Sequence, residues 1–390
     1  MPSSSSNHWL PHRLSRWDWF WASALFIGAT ALFLSTMQMG FTRDEGFYFH
    51  AAGQYIGWFE DLWANLHSGA LAESFTQANV DKHWGYNPEH PVLMKSAFAL
   101  SHKIFHELLG WMSPSTALRF PTALTGAGLI SVLYLFGRQL FGRTAGFVAA
   151  GALLFQPRFF FHAHMACFDV PITFFWVATV YAYWRSYDSR RWVILTGVLF
   201  GLGLSTKLNA FFLPAVLGLH WFLVHFNQFG LERRLEGWRL KTPPVPKAFV
   251  SMAILGPLLF YALWPRHWFD TFARVKWYIN FHLTHEHYFV DYFGMNLQIP
   301  PFPISYPWVM TAVTVPATIL FASVIGLVYY LRRRRVDGEL RRWGLAIKAR
   351  KLPVGPGFDA RGSGVLLAIN LIFPIALISM PDTPIFGGTK

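Results

Sequence analysis

The sequence predicts an all-α polytopic membrane protein, and its composition carries this prediction. Of its 390 residues, 53% are hydrophobic and 18% are aromatic. Only 14% are charged, whereas about a quarter is usual in soluble domains. A disordered chain needs low hydrophobicity and high charge, so this composition excludes one and disfavours a water-soluble enzyme. The single cysteine, Cys167, allows no intrachain disulfide.

Nine apolar segments predict about nine membrane crossings, since a helical span needs roughly 20 apolar residues. The first, 17–39, follows Arg13 and Arg16 and reads as a retained anchor, because it is long and no small-residue cleavage site follows it. The other segments are 118–137, 144–157, 170–184, 192–206, 208–226, 248–264, 308–331 and 363–380. Several are shorter than a full span, and 144–157 fits a buried half-span as well as a crossing.

The net charge of +13 indicates topology rather than a nucleic-acid partner. With a cytoplasmic N-terminal tail at 1–16 and alternating spans, basic residues gather in the segments predicted to lie inside. Five basic residues lie in 227–247 and ten in the basic cytoplasmic loop 332–361. This distribution follows the positive-inside rule. We interpret the arginines at 332–335 as a topology signal rather than an RNA or lipid-headgroup site.

Two large segments, 40–117 and 265–307, are predicted to lie outside, and acidic residues and histidines gather there. A transporter more often places ionisable groups in mid-span, and here the spans are nearly free of them. The amphipathic segment 94–109 favours an interfacial helix. The pattern indicates chemistry at the outer membrane surface within a membrane domain covering 17–390.

The first candidate pair is Asp44 and Glu45, immediately after the first span. Adjacent carboxylates at a low-dielectric boundary repel each other, which raises at least one pKa. A carboxylate tuned in this way can act as a general base. The alternative is a helix N-terminus, where acidic residues interact favourably with the helix dipole.

The second candidate is the sequence Asn-Pro-Glu-His-Pro at 87–91, followed by Lys95. The two prolines restrict the turn. Glu89, His90 and Lys95 then offer a carboxylate, an imidazole and an ammonium, a set that suits a phosphate or a metal-bound phosphate. The alternative is a capped helix start with an ordinary surface lysine.

Two further charged residues lie at the ends of apolar segments. Asp169 opens a predicted span, and an acid costs ~2.5–3.5 kcal/mol at a span centre and less near its end. It therefore needs a partner or a role, or it caps the helix. Lys207 could bind an anionic head group or extend to the interface. We interpret His162 and His164 as interfacial histidines rather than ligands.

The second outer segment contains His282, His285 and His287, a weak metal-binding pattern. We predict His282 and His285 as candidate ligands together with Glu89 from the first outer segment. The sequence contains no phosphate-binding glycine loop or dinucleotide fingerprint, so it indicates no nucleotide cofactor. A divalent metal is left open.

The order of these motifs resembles a known family. An Asp-Glu pair with Tyr48 is followed by Glu-His-Pro before Lys95, then Arg119-Phe-Pro, an Asp-x-Pro at Asp169 and Ser-Thr-Lys at 205–207. In this order and topology the chain resembles the GT-C membrane glycosyltransferases of the protein O-mannosyltransferase and aminoarabinose-transferase group. The resemblance covers about 17–390.

The resemblance implies a GT-C helical bundle that moves a sugar from a polyprenyl-phosphate carrier to a glycan, lipid or protein acceptor at the outer face, with inversion. By resemblance, Asp44 is the catalytic base, Glu45 and Tyr48 complete its motif, and Asp169 is a second acid at the rim of the site. Glu89 and His90 lie near the carrier phosphate or a metal, and Lys207 and Arg119 are phosphate partners. The expected location is a bacterial inner membrane with a periplasmic active site.

The sequence also departs from the family pattern. Pro91 is followed by valine where many relatives have a second proline. In relatives, further spans follow the segment that here ends the sequence, so the C-terminus is expected to be truncated. Two other functions stay open: a lipid or polysaccharide transporter or flippase, and an inactive scaffold with the GT-C fold.

Overall fold

The computed structural model describes residues 13–234, 237–284, 287, 289–342 and 361–383. The prediction of an all-α protein is confirmed, because helices make up most of this described part. They are α1 (Arg16–Ser35), α2 (Arg43–Ser68), α3 (Gln77–Trp84), α4 (Leu93–Ser101), α5 (Pro114–Phe141), α6 (Arg143–Leu154), α7 (Pro157–His162), α8 (Asp169–Ser186), α9 (Arg190–Leu204), α10 (Leu213–His225), α11 (Lys247–Leu263), α12 (Thr271–Leu283), α13 (Tyr306–Thr314), α14 (Ala317–Arg342) and α15 (Ser363–Ile378).

The described strands form two antiparallel hairpins. One pairs β1 (Gly230–Arg234) with β2 (Gly237–Lys241), with Gly230 opposite Lys241. The other pairs β3 (Val290–Tyr292) with β4 (Met295–Leu297), with Val290 opposite Leu297.

Each predicted apolar segment coincides with a helix or with a pair of helices, but few of these helices are long enough to span a bilayer. Among the described residues, three helical stretches meet the length and hydropathy of a span: Arg16–Ser35, Pro114–Phe141 and Leu208–Gln228. A fourth is obtained if α13 and α14, which meet at 111°, count as one broken span. Helices α6, α11 and α15 are apolar but shorter. Length and composition therefore support three or four crossings, fewer than the nine expected.

Helices α1 and α5 are joined by buried charges at both ends. At the start of α1, the Asp18 carboxylate accepts hydrogen bonds from Arg138 Nε at 2.9 Å and Arg143 Nε at 2.8 Å. At its other end, the backbone carbonyls of Met37 and Met39 accept from Arg119, near the start of α5. The two helices are therefore antiparallel, with a charged cluster at each end.

Glycines bring α9 and α11 into close contact. Gly197 and Gly201 are one turn apart, as in the small-xxx-small pattern of packed membrane helices. A Cβ at Gly197 would lie 2.3 Å from Ser251 Oγ, and a Cβ at Gly201 would lie 2.9 Å from Leu259 Cβ. Backbones at this distance leave no room for larger residues.

The two segments predicted to lie outside pack against each other. Buried aromatic residues of 40–117, among them Tyr55, Trp58 and Trp84, share one hydrophobic cluster with Tyr278 of 265–307 and with Trp264, which directly precedes that segment. The helix expected over 94–109 begins at Leu93 and changes to a π-helical turn over His102–Leu108. The resulting layer of short helices lies at the same end of the molecule as Arg119.

Candidate active site

Glu45 and Arg119 form a buried ion pair. Glu45 lies in the first turn of α2, where its carboxylate accepts from the backbone N–H of Thr42 at 2.9 Å. Arg119 donates to Glu45 from Nε at 2.7 Å and from Nη2 at 2.9 Å, a bidentate arrangement. The backbone N–H of Ala166 also donates to Glu45, at 3.0 Å. Glu45 thus links α2, α5 and the loop before α8.

The expectation that Arg119 binds a phosphate does not fit this geometry. A guanidinium has five N–H groups. Besides the two bonds to Glu45, Arg119 donates to the carbonyl oxygens of Met37, Met39 and Gly40. Its side chain is 1% exposed. With five hydrogen bonds already made inside the protein, Arg119 positions the end of α1 and the start of α2.

The turn at 87–91 is organised around Lys95. The Lys95 ammonium donates to the backbone carbonyls of Asn87 at 2.6 Å and His90 at 2.8 Å, and to Asn87 Oδ1 at 3.3 Å. The Asn87 amide in turn donates to Glu89 at 2.5 Å. Lys95 is fully buried, so the expected phosphate contact gives way to a positioning role: Lys95 fixes the turn that carries Glu89 and His90.

Asn87 opens the motif at 87–91, but no role of its own was predicted for it from the sequence. Its backbone lies in the left-handed region, with a φ angle of 52°. Asparagine tolerates this region better than most residues. The feature of the sequence that could have indicated a role for Asn87 is its position before a proline in a charged segment.

His90 packs against aromatic rings. Its ring centroid lies 5.8 Å from that of Tyr48 and 5.3 Å from that of Phe168. Burial, followed by the positive charges of Lys95 and Lys207, lowers the pKa of His90 to about 3. The imidazole is therefore neutral at physiological pH, with one nitrogen that can donate a hydrogen bond and one that can accept one.

Asp169 and Lys207, singled out separately in the sequence, form an ion pair of 2.7 Å. Burial lowers the pKa of Lys207, but the Asp169 carboxylate outweighs this effect and holds the pKa above its usual value. The backbone N–H of Leu93 donates to the Ser205 carbonyl at 2.9 Å, which joins the segment before Lys207 to the turn at 87–91. Asp169 begins α8, as expected for an acid that opens a helix.

Tyr48 lies within electrostatic reach of acidic residues from three sequence motifs. Burial raises the pKa of its phenol, and the negative charges of Asp44, Asp169 and Glu89 raise it further. Asp44 also acts electrostatically on Lys207. The structure therefore brings together four separate sequence motifs, and Asp44 is half-buried beside them.

Of the predicted metal ligands, Glu89 and His282 are described by the structure. His285 lies outside the described residues. The Nδ1 atom of His282 is 2.9 Å from the Tyr278 carbonyl, and His282 lies within electrostatic reach of His90. The one described group of three metal-binding side chains is a different one, His162, Cys167 and Asp169.

Comparisons with known proteins agree with this architecture. The family described as dolichyl-phosphate-mannose-protein mannosyltransferase matches residues 89–233. A polyprenol-phosphate-mannose–protein mannosyltransferase of Corynebacterium glutamicum is 28% identical over 222 residues, which cover 48% of this chain and 40% of the relative. The structure of ArnT from Cupriavidus metallidurans bound to undecaprenyl phosphate has a TM-score of 0.54 and 17% identity, covering 93% of this chain and 56% of that one.

The fold is similar to that of ArnT, and part of the chain is similar to protein mannosyltransferases. The predicted resemblance to the GT-C protein O-mannosyltransferase and ArnT-like group is therefore confirmed. The matches span less than two thirds of the length of the mannosyltransferase relative and of the ArnT chain.

Proposed function

We propose that this protein transfers a sugar from a polyprenyl-phosphate carrier to an acceptor hydroxyl at the outer face of a bacterial inner membrane. The acceptor is a glycan, a lipid or a protein. The chemistry is displacement at the anomeric carbon with inversion, and Asp44 is the general base. The family matches support this class of donor and reaction.

The observation that carries the proposal is the convergence of Asp44, Tyr48, Glu89 and Asp169 at one end of the bundle. Carboxylates that lie close together in a partly buried place repel each other. Such clusters are retained where cations compensate the charge or where the function of the site requires them. Lys207 offsets the charge of Asp169. Asp44 is half-buried, which leaves it accessible to an acceptor hydroxyl at the rim of the site.

In the proposed reaction, the acceptor oxygen attacks the anomeric carbon while the bond from that carbon to the phosphate oxygen breaks. The acceptor proton passes to the Asp44 carboxylate, and the bond electrons leave with the lipid phosphate. Lys207 supplies a positive charge 2.7 Å from Asp169 and would stabilise the negative charge that develops on the leaving phosphate. Glu89 and neutral His90 would orient the phosphate or a metal bound to it.

The first test is Asp44→Asn in purified protein supplied with polyprenyl-phosphate sugars. We expect transfer to fall by at least about 100-fold, the lower range for loss of a general base, with unchanged thermal unfolding. The matched control is Glu73→Gln, which changes an exposed acid in the same outer segment. Transfer by Asp44→Asn at the wild-type rate would refute Asp44 as the base.

The second test is Glu89→Ala, measured as binding of the carrier phosphate and as metal dependence of transfer. We expect weaker carrier binding or a changed metal requirement. Wild-type behaviour in both measurements would refute the role of Glu89. Failure of every polyprenyl-phosphate sugar to donate to any acceptor class, in protein that folds normally, would overturn the proposed function itself.

A further inference from the structure

The loop between α7 and α8 carries three side chains with metal-binding atoms. His162 ends α7, Cys167 lies in the loop, and Asp169 begins α8. One ligand atom from each of the three lies within 4.8 Å of the other two. This group shares Asp169 with the proposed active site, but His162 and Cys167 have no role in the proposed transfer.

We propose that His162, Cys167 and Asp169 bind one Zn²⁺-like divalent ion, with its fourth coordination position open. A nitrogen, a sulfur and a carboxylate oxygen form a ligand set typical of zinc, whereas magnesium and manganese prefer oxygen ligands. Three protein ligands are also the number found in zinc sites that keep a position for water or substrate.

The backbone of this loop is already ordered for binding. Residues 163–168 are buried, and the N–H of Ala166 is fixed on the Glu45 carboxylate. The N–H of Cys167 donates to the Met165 carbonyl at 2.8 Å. Tetrahedral ligands at zinc bond lengths are about 3.4–3.8 Å apart. The three side chains would therefore move by about 1 Å to bind the ion, without a change in the fold of the loop.

The site has charges of both signs around it. Lys207 donates to one Asp169 oxygen, so a bound ion would share this carboxylate with the ammonium. Asp44 and Glu89 act on Tyr48 together with Asp169 and Cys167, so they add negative charge to the same region. Binding would release the Cys167 proton, because the thiolate is the ligand form.

The test is a titration of purified, untagged protein in detergent with Co²⁺ after treatment with a chelator. We expect one saturating equivalent with a sulfur-to-cobalt charge-transfer band, and displacement of the band by Zn²⁺ but not by the same concentration of Mg²⁺. Because the chain has one cysteine, such a band can be assigned to Cys167 in the wild-type protein alone. This result therefore does not depend on whether any variant folds.

Variants then identify the other ligands. Cys167→Ser should lose the band, and His162→Gln should weaken Co²⁺ binding by about 100-fold or more. The matched control is His67→Gln, an exposed histidine of α2 outside the group, which should bind Co²⁺ as the wild type does. Absence of a saturable band in the wild-type protein would overturn the proposal, as would an unchanged affinity in folded His162→Gln. Neither result bears on sugar transfer, so this test is separate from that of the proposed function.

Discussion

At the residue scale, two adjacent acids have different surroundings. Glu45 is fully buried and held by Arg119, whereas Asp44 is half-buried near Tyr48 and Lys207. The helix turns the two side chains in different directions, so their roles separate. Glu45 has the contacts of a structural residue, and Asp44 is the acid of the pair that we propose as the base.

The ion pair between Glu45 and Arg119 is testable by a double-mutant cycle. Glu45→Gln should lower the free energy of unfolding by about 3–5 kcal/mol, because it leaves the Arg119 charge buried without its partner. The double variant Glu45→Gln with Arg119→Met should cost less than the sum of the single changes. Thermal unfolding in detergent measures this, and additive losses would argue against a coupled pair.

His267 gives a prediction on pH dependence. Its ring is 1% exposed and lies 4.2 Å from Trp264, centroid to centroid. Burial, followed by Arg266 and Arg274, lowers the pKa of His267 from 6.5 to about 4. Between these values the unfolded chain binds a proton that the folded protein does not, so stability falls as the pH falls.

The His267 contribution should reach about 3 kcal/mol across this range. His267→Phe keeps an aromatic ring among Phe260 and Trp264 and should flatten the acid dependence of the melting temperature between pH 6.5 and 4. A variant whose curve follows that of the wild type would show that other groups control acid stability.

At the element scale, hydropathy located the helices but not their breaks. The apolar segment 308–331 contains α13 and α14, which meet at 111° next to Pro316. Proline lacks an N–H group and restricts the residue before it, which ends α13.

The Asp169–Lys207 contact joins residues 38 positions apart. Each was identified by its own motif, but their pairing depends on how α8 and α9 pack.

The contact between α9 and α11 predicts that a glycine-to-alanine substitution lowers stability inside this contact but not outside it. Gly197→Ala should destabilise the protein by about 1–3 kcal/mol through overpacking, since its Cβ would lie 2.5 Å from the Ser251 carbonyl oxygen. Gly218→Ala in α10 meets nothing within 4 Å and is the control. We expect the control to be neutral or slightly stabilising. Equal melting temperatures for the two variants would contradict this packing.

At the scale of the whole molecule, the predicted orientation depends on the distribution of basic residues. Cys167 is buried, so single cysteines can be introduced as labels. Glu73→Cys lies in the first outer segment, and Ser189→Cys lies in the turn before α9, which is predicted to be cytoplasmic.

A membrane-impermeant maleimide should label Glu73→Cys in intact spheroplasts and Ser189→Cys only after permeabilisation. The wild-type protein, with Cys167 alone, is the control for background labelling. The reverse pattern would invert the topology and place the acidic cluster on the cytoplasmic side.

The charges at the two ends of the α1–α5 pair also fix a length. Arg119 and Arg138 are 19 residues apart on α5, or about 28 Å along a helix, and the hydrocarbon core of a bilayer is about 30 Å thick. Placing either charged cluster in the hydrocarbon would carry the cost of ionised groups in lipid. The α1–α5 pair therefore has a fixed length between its charged ends. In a thicker bilayer, the lipid around the protein must thin to match it. Because Glu45 belongs to one of these clusters, we expect the neighbouring Asp44 to keep a constant height relative to the edge of the hydrocarbon.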